Sequence, residues 1–429
     1  MKVLKSSNKK NIFFNTIWML FDKVFILLLN LFVTVKIANY YGKNDYGLYQ
    51  YAISVVALFE ILVTFVDGRV VKKRYSSDND NEIVWISTVA RLFFSFVSLL
   101  LGCLYLCFSN EAVDFNKIFI VLLFNAIIIN LRFGMQSRYE YLLKSKKVII
   151  ASNLGLSLGG ILQLVAVSFK LPIIAIAIIT TLTSFLSLSI IYIQYRVDYG
   201  KIIGKNFNFE LLKKLVIESL PFAIAASCAI IYSRCDSIMI GNMLSKSDVG
   251  VYAIAVKMIT VVQIAISPIS ESVYSKMIEL YKNDKKQYAI RYVQVTSLLT
   301  WIYIIGVGVS FIILPYAFRF LNKEYSLAFP IYQVYVLGTF FMYNAALRAG
   351  HYTLINRGHI LMYSQIICVI LNIFLNYILI DLFGIYGAAY ATVVTQGISL
   401  LLSNLFFEKE GRTVFFWQIK ALNPIKIFK

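Results

Sequence analysis

The sequence predicts an all-α polytopic membrane protein, with twelve transmembrane helices in two six-helix lobes spanning residues 1–205 and 206–429. Three observations carry this. Of the 429 residues, 59% are hydrophobic and 15% charged, where a soluble domain carries about a quarter charged. Apolar runs of roughly 20 residues or more recur along the whole length, each able to cross a ~30 Å hydrocarbon core. One polar turn is also written twice, at matching places in the two halves. A transmembrane barrel would show alternating segments of ~10 residues instead.

The spans read as about 12–38, 46–66, 83–108, 115–135, 148–168, 172–195, 215–240, 250–270, 290–315, 325–347, 360–380 and 388–406. The first follows the basic start MKVLKSSNKK and stays apolar to Ala38 without a small-residue cleavage site. It therefore reads as a retained span and not as a signal peptide. The longest central connection, RVDYGKIIGKNFNFELLKK (196–214), separates the halves, and YKNDKKQY (281–288) extends an amphipathic helix that begins near Glu271. Thirty Lys and Arg fall in the connections and tails on the side of the N-terminus, and six on the other. This asymmetry predicts that both termini lie in the cytoplasm of a multi-pass inner-membrane protein. The net charge of +19 is then topology signal plus attraction to anionic membrane lipids, with no nucleic-acid partner.

The repeated turn is KIANYYGKNDYGLYQYA (36–52) and MIGNMLSKSDVGVYAIA (239–255). A shift of 203 residues matches Ile37, Asn39, Lys43, Asp45, Gly47 and Tyr49 with Ile240, Asn242, Lys246, Asp248, Gly250 and Tyr252. Six spans intervene, so the two copies run in the same direction, as in a parallel repeat about the membrane normal. Gly42 suits the left-handed end of one helix and Asp45 the cap of the next.

A charge inside a span costs about 2.5–3.5 kcal/mol and needs a partner or a wet cavity. The candidates are Asp22, Lys23, Lys36, Glu60 and Arg91 in the first three spans, and Glu218, Arg234, Asp236 and Lys257 in the seventh and eighth. At 1.5 Å per residue, Lys23 lies about 16 Å from the inner end of its span, and Arg234 and Lys257 about 10 Å from the outer end. Expected pairs are Glu60 with Arg91, read as structural or functional, and Asp236 with Lys257. Lys23 and Arg234 then remain as cations for an anionic substrate, with Lys257 and Arg91 beside them in the path. Asp22, Glu60 and Asp236 are candidates for charge pairing or ion coupling. Lys36 and Glu218, near helix ends, are expected to snorkel to the interface.

Other features are read as structural. GKIIGKN (200–206) is one residue short of a phosphate loop and lacks the following Ser or Thr. His351 and His359 read as surface residues of a cytoplasmic loop. The five cysteines read as small buried side chains without disulfide or metal spacing, and neither a cofactor nor a catalytic constellation is expected. Asn372 and Asn376 suggest hydrogen bonding between helices. Pro221, Pro268, Pro315 and Pro330 read as helix ends or kinks, Pro221 and Pro268 also as points of flexing.

With NYYGKNDYGLYQYA (39–52), GNMLSKSDVGVYAIA (241–255), SPISESVYSKM (267–277) and FGIYGAAYAT (383–392) in this order, the chain resembles the Wzx-type polysaccharide flippases of the multidrug/oligosaccharidyl-lipid/polysaccharide exporter superfamily. The resemblance implies a MATE-like, V-shaped bundle whose first, second, seventh and eighth spans line a central cavity. It implies transport, for O-antigen, capsule or exopolysaccharide synthesis, of undecaprenyl-pyrophosphate-linked oligosaccharide from the cytoplasmic to the outer leaflet. It also implies H+ or Na+ coupling, with a polysaccharide polymerase and a chain-length regulator as partners. Lys23 and Arg234 match the residue type expected there without falling in a defined motif, and KLPIIAIAIITT (170–181) preserves the repeat of FGIYGAAYAT only weakly. Two alternatives stay open. A drug/cation antiporter of the superfamily would favour an acidic cavity, whereas the in-span charges are five basic to four acidic. A glycan polymerase or acyltransferase would carry a large outer loop or a buried His, and neither is evident.

Overall fold

Every regular element among the described residues of the computed structural model is helical. The structure describes residues 9–75, 80–142, 144–202, 208–407 and 409–423; the side chains of Asp22 and Lys23, and part of the central 196–214 connection, lie outside them. Among the described residues, eleven helical stretches are long and apolar enough to cross a membrane, and the chain is a multi-pass membrane protein. The difference from twelve lies at the start. Helix α1 (Lys9–Phe59) is 51 residues long and is broken at Gly42, which has φ 69° and ψ 174°. Fifty-one residues of α-helix would extend ~76 Å, over twice a ~30 Å hydrocarbon core. The break falls at the position where the sequence predicts the first turn.

The chain forms two compact units, residues 36–250 and residues 1–35 with 251–429. In the first, α1 runs into a 3-10 segment (Glu60–Phe65) and α2 (Gly68–Arg74). Then come α3 (Asp80–Phe108), α4 (Val113–Leu131), α5 (Phe133–Tyr141), α6 (Ser145–Ser168), α7 (Ile174–Tyr199) and α8 (Phe209–Met243). Val71, Ile83, Tyr139, Ala151, Tyr195 and Leu215 bury one core where α2, α3, α5, α6, α7 and α8 meet. Tyr139 also donates to Asp198 at 2.8 Å, and Lys147 pairs with the same carboxylate. Pro221 lies inside α8, where the missing N–H weakens the helix.

The second unit holds α9 (Lys246–Gln263, from residue 251), α10 (Ile266–Asn283), α11 (Lys285–Phe318) and α12 (Ala328–Asn344). It continues with α13 (Arg348–Leu354), α14 (Gly358–Phe383), α15 (Ile385–Leu400) and α16 (Lys409–Lys420). The helix expected to continue through 281–288 stops instead at Asn283. Asp284 turns extended and caps α11, accepting from Lys286 N and Gln287 N at 2.9 Å each. Pro268 and Pro330 sit in first turns, where an N–H has no helical partner to lose; Pro315 is inside α11.

Two expectations fail. His351 is 6% exposed: its Nδ1 lies 2.8 Å from Tyr288 Oη, and its ring packs against Tyr292 and Trp417. Among the cysteines, Cys103 and Cys107 are exposed on α3, and only Cys235 and Cys368 are buried. Asn376 donates to Asn372 at 3.1 Å along α14 itself.

Arg348, counted among the charges of a cytoplasmic loop, is 3% exposed. Its guanidinium donates to Asn404 Oδ1 (2.8 Å), Ser399 O (3.1 Å), Ser364 Oγ (2.6 Å) and Ser403 Oγ (3.2 Å). Asn404 is held in turn by Gln418 of α16 at 2.8 Å. The network ties α13, α14, α15 and the amphipathic α16 together. Arg348→Leu strands these acceptors, and the expected loss is about 3 kcal/mol of stability, read as a lower unfolding temperature of the detergent-solubilised protein. An unchanged temperature would contradict that role.

Candidate translocation site

The site grows from a break in the second span. After Phe59 the chain tightens into the 3-10 segment EILVTF. Thr64 Oγ1 donates back to Ile61 O at 2.7 Å, a local bond that competes with regular helix. Val66 is then extended (φ −120°, ψ 93°), and Asp67 starts α2 by accepting from Arg69 N at 2.8 Å. A 3-10 stretch inside a span is a common mark of a functional hinge.

The break exposes the Val66 carbonyl, and Arg91 of α3 takes it, through Nε at 3.1 Å and Nη2 at 2.8 Å. Its Nη1 donates to Asn130 Oδ1 at 3.1 Å, and the guanidinium lies 3.4 Å from the centre of the Phe133 ring. From α8, Ser219 Oγ accepts the Asp67 N–H at 3.0 Å. The expected Glu60–Arg91 pair is therefore not formed. An unsatisfied carbonyl inside a membrane protein costs more than a distant carboxylate can repay, so it claims the guanidinium. Arg91→Leu is expected to destabilise the unit by about 2 kcal/mol, and Arg91→Lys, without a fork, to recover only part. Thermal unfolding of the two variants checks this.

Glu60, at the other end of the 3-10 segment, instead interacts electrostatically with Arg234 of α8. Both are partly buried. Neither side chain makes a hydrogen bond or close ion pair among the described residues. Glu218, expected to snorkel, pairs with Arg74. Asp236 is buried on α8, Lys257 is half-buried on α9 in the other unit, and Lys36 is exposed.

The twin turns meet within residues 36–250. A Cβ on Gly47 would lie 2.0 Å from Lys246 O, and one on Gly250 would lie 2.5 Å from Lys43 O. Both pairs are related by the repeat shift, so each copy offers the other the same surface, as in a two-fold interface. Ser247 Oγ donates to Asn44 Oδ1 at 2.6 Å, again between equivalent positions. Beside the crossing, Lys246 Nζ sits 3.0 Å from Glu111 and 3.4 Å from the Tyr51 ring centre, and Tyr51 Oη donates to Asn242 at 2.7 Å. Sequence reasoning found the repeat but took the turns for separate connections. The matched glycines were the available signal, since only glycine permits such backbone contact.

The family profile described as "Polysaccharide biosynthesis protein" matches residues 12–275. The chain belongs to this family. A putative O-antigen transporter of Shigella dysenteriae is 22% identical over 64% of this chain and 69% of its own length. The capsular polysaccharide biosynthesis protein CapF of Staphylococcus aureus is 20% identical over 85% and 91%. Among solved structures, an inward-facing multidrug resistance MATE family transporter of the MOP superfamily superposes with a TM-score of 0.73 at 13% identity, covering 94% of this chain and 99% of that one. The polysaccharide biosynthesis family member described here thus has a MATE-like fold.

Proposed function

We propose that the chain is a flippase that moves undecaprenyl-pyrophosphate-linked oligosaccharide repeat units from the cytoplasmic to the outer leaflet, by alternating access, for surface polysaccharide synthesis. The observation that carries this is Arg234, a partly buried guanidinium that feels the charge of Glu60 and whose side chain makes no hydrogen bond or ion pair among the described residues. A guanidinium fork matches pyrophosphate oxygens in pairs. Glu60 neutralises it when no cargo is bound, and cargo phosphate displaces Glu60. When the cargo leaves, Glu60 takes Arg234 back, which keeps an uncompensated charge from persisting in the membrane.

Lys23 and Lys257 supply further positive charge along the path, and Arg91 keeps the helix break in shape. Asp22 and Asp236 are the groups proposed to couple transport to H+ or Na+. The reading includes an inner-membrane location with cytoplasmic termini and two six-helix lobes divided near residue 205. A polymerase and chain-length regulator act on the delivered units. The drug/cation antiporter is the second reading, since a MATE family transporter shares the fold; a cationic Arg234 argues against an organic cation as cargo. A deletion strain is expected to accumulate lipid-linked repeat units on the cytoplasmic leaflet, cleared by the wild-type gene. Normal surface polysaccharide with altered drug susceptibility would favour the antiporter.

A further inference from the structure

A cavity of about 460 Å³ opens at the Gly42 end of residues 36–250, away from Glu60 and Arg234. Its volume suits a small molecule. Three elements converge on it: Tyr40, Tyr41 and Asp45 of α1, Asp114 and Lys117 of α4, and Lys170 between α6 and α7. Tyr41 Oη donates to Leu171 O at 2.8 Å, which fixes its ring against the connection that carries Lys170. Tyr40 stands edge-on to Tyr41, with ring centres 4.7 Å apart, and is 40% exposed. The exposed Tyr40 ring thus stands against a Tyr41 ring that is itself held.

The polar lining is balanced. Lys117 pairs with Asp114 at 3.2 Å, while the side chains of Asp45 and Lys170 make no hydrogen bond or ion pair among the described residues. Lys170 is also one of two non-glycine residues with positive φ among those described, at 55°. It ends α6 where glycine or asparagine would be the undemanding choice, in a conformation that disfavours a side chain. Strain kept at a cleft points to use of the side chain.

The geometry points to a carbohydrate site that takes one pyranose ring of a glycan. The ring's apolar C–H face would lie on Tyr40, its hydroxyls donating to Asp45 and accepting from Lys170. Two carboxylates against two amines give no net positive charge, which disfavours an isolated phosphate. On the proposed topology this end faces outward, so the pocket would receive the sugar end of delivered cargo; that role, unlike binding itself, rests on the flippase reading.

The test is saturation-transfer difference NMR on the full chain in phosphatidylcholine nanodiscs, with the methyl glycosides of glucose, galactose and N-acetylglucosamine. Glycerophosphoethanolamine serves as a lipid-headgroup probe. Transfer to at least one glycoside is expected, with affinity about tenfold weaker in Asp45→Asn, the loss of one charge-assisted hydrogen bond, and also weaker in Tyr40→Ala. Lys170→Gly should bind more weakly yet unfold at a higher temperature, a combination that a purely structural lysine would not give. No transfer to any glycoside, equal transfer in wild type and variants, or transfer to the headgroup probe alone overturns the proposal. Arg234→Gln is expected to bind glycoside normally while failing to export, so failure of the pocket and failure of the flippase reading are separable.

Discussion

Replacing Arg234 with glutamine is expected to abolish surface polysaccharide while the protein stays in the membrane at its normal level. Glutamine keeps the length and a neutral polar end but cannot offer a charged fork. Losing a desolvated charge-assisted contact of this kind costs about 3 kcal/mol, roughly 10²-fold in affinity. Lipid-linked repeat units should build up on the cytoplasmic leaflet, as in a deletion strain. Glu60→Gln should act differently: it leaves Arg234 without its carboxylate, so cargo is held longer and export slows without the first binding step being lost. Wild-type polysaccharide levels in Arg234→Gln, at equal protein level, would remove Arg234 from the mechanism.

Gly47→Val is expected to force the twin turns apart. The added Cβ would lie 2.0 Å from a backbone carbonyl, that of Lys246, and neither helix end can yield by rotating a side chain. Because Gly250 makes the reciprocal approach to Lys43, Gly250→Val should give the same phenotype. If separation of these turns opens the outer end of the transport path, both variants should lose at least about tenfold in export, since a closure worth ~1.4 kcal/mol or more would be missing. In a chain whose only cysteine is Cys235, which is buried on α8, a membrane-impermeant maleimide applied from outside should label the Val variants faster. Unchanged labelling and export in both would show that the crossing is not a gate. Ser247→Ala, which loses a single exposed hydrogen bond to Asn44, should have little effect, about 0.5–1.5 kcal/mol.

Much of the fold was legible because membrane insertion constrains sequence directly. Each span must be long and apolar, so the helices could be located along the chain, and the family resemblance followed from the order of the turns. The sites were less legible, because hydropathy records that a charge is unusual but not which polar group claims it. Arg91 illustrates this: the nearest candidate carboxylate by depth was Glu60, yet a backbone carbonyl freed by a 3-10 break took the guanidinium. Arg348 and His351 erred in the other direction. Both lie in a short stretch between spans that reads as a loop, and the structure folds it into α13 and buries it beneath α16 and the serines of its neighbours. The polar run of Ser399, Ser403 and Asn404 was the signal for that burial.

By itself, the sequence determined that this chain is a multi-pass helical membrane protein with a duplicated turn, because hydrophobic length and internal repetition are properties of order along a chain. The tertiary structure decided which charges face one another and that the two copies of the turn touch through their glycines. Those facts depend on distances between residues up to 207 positions apart, which are set by how helices pack and not by what precedes or follows each residue.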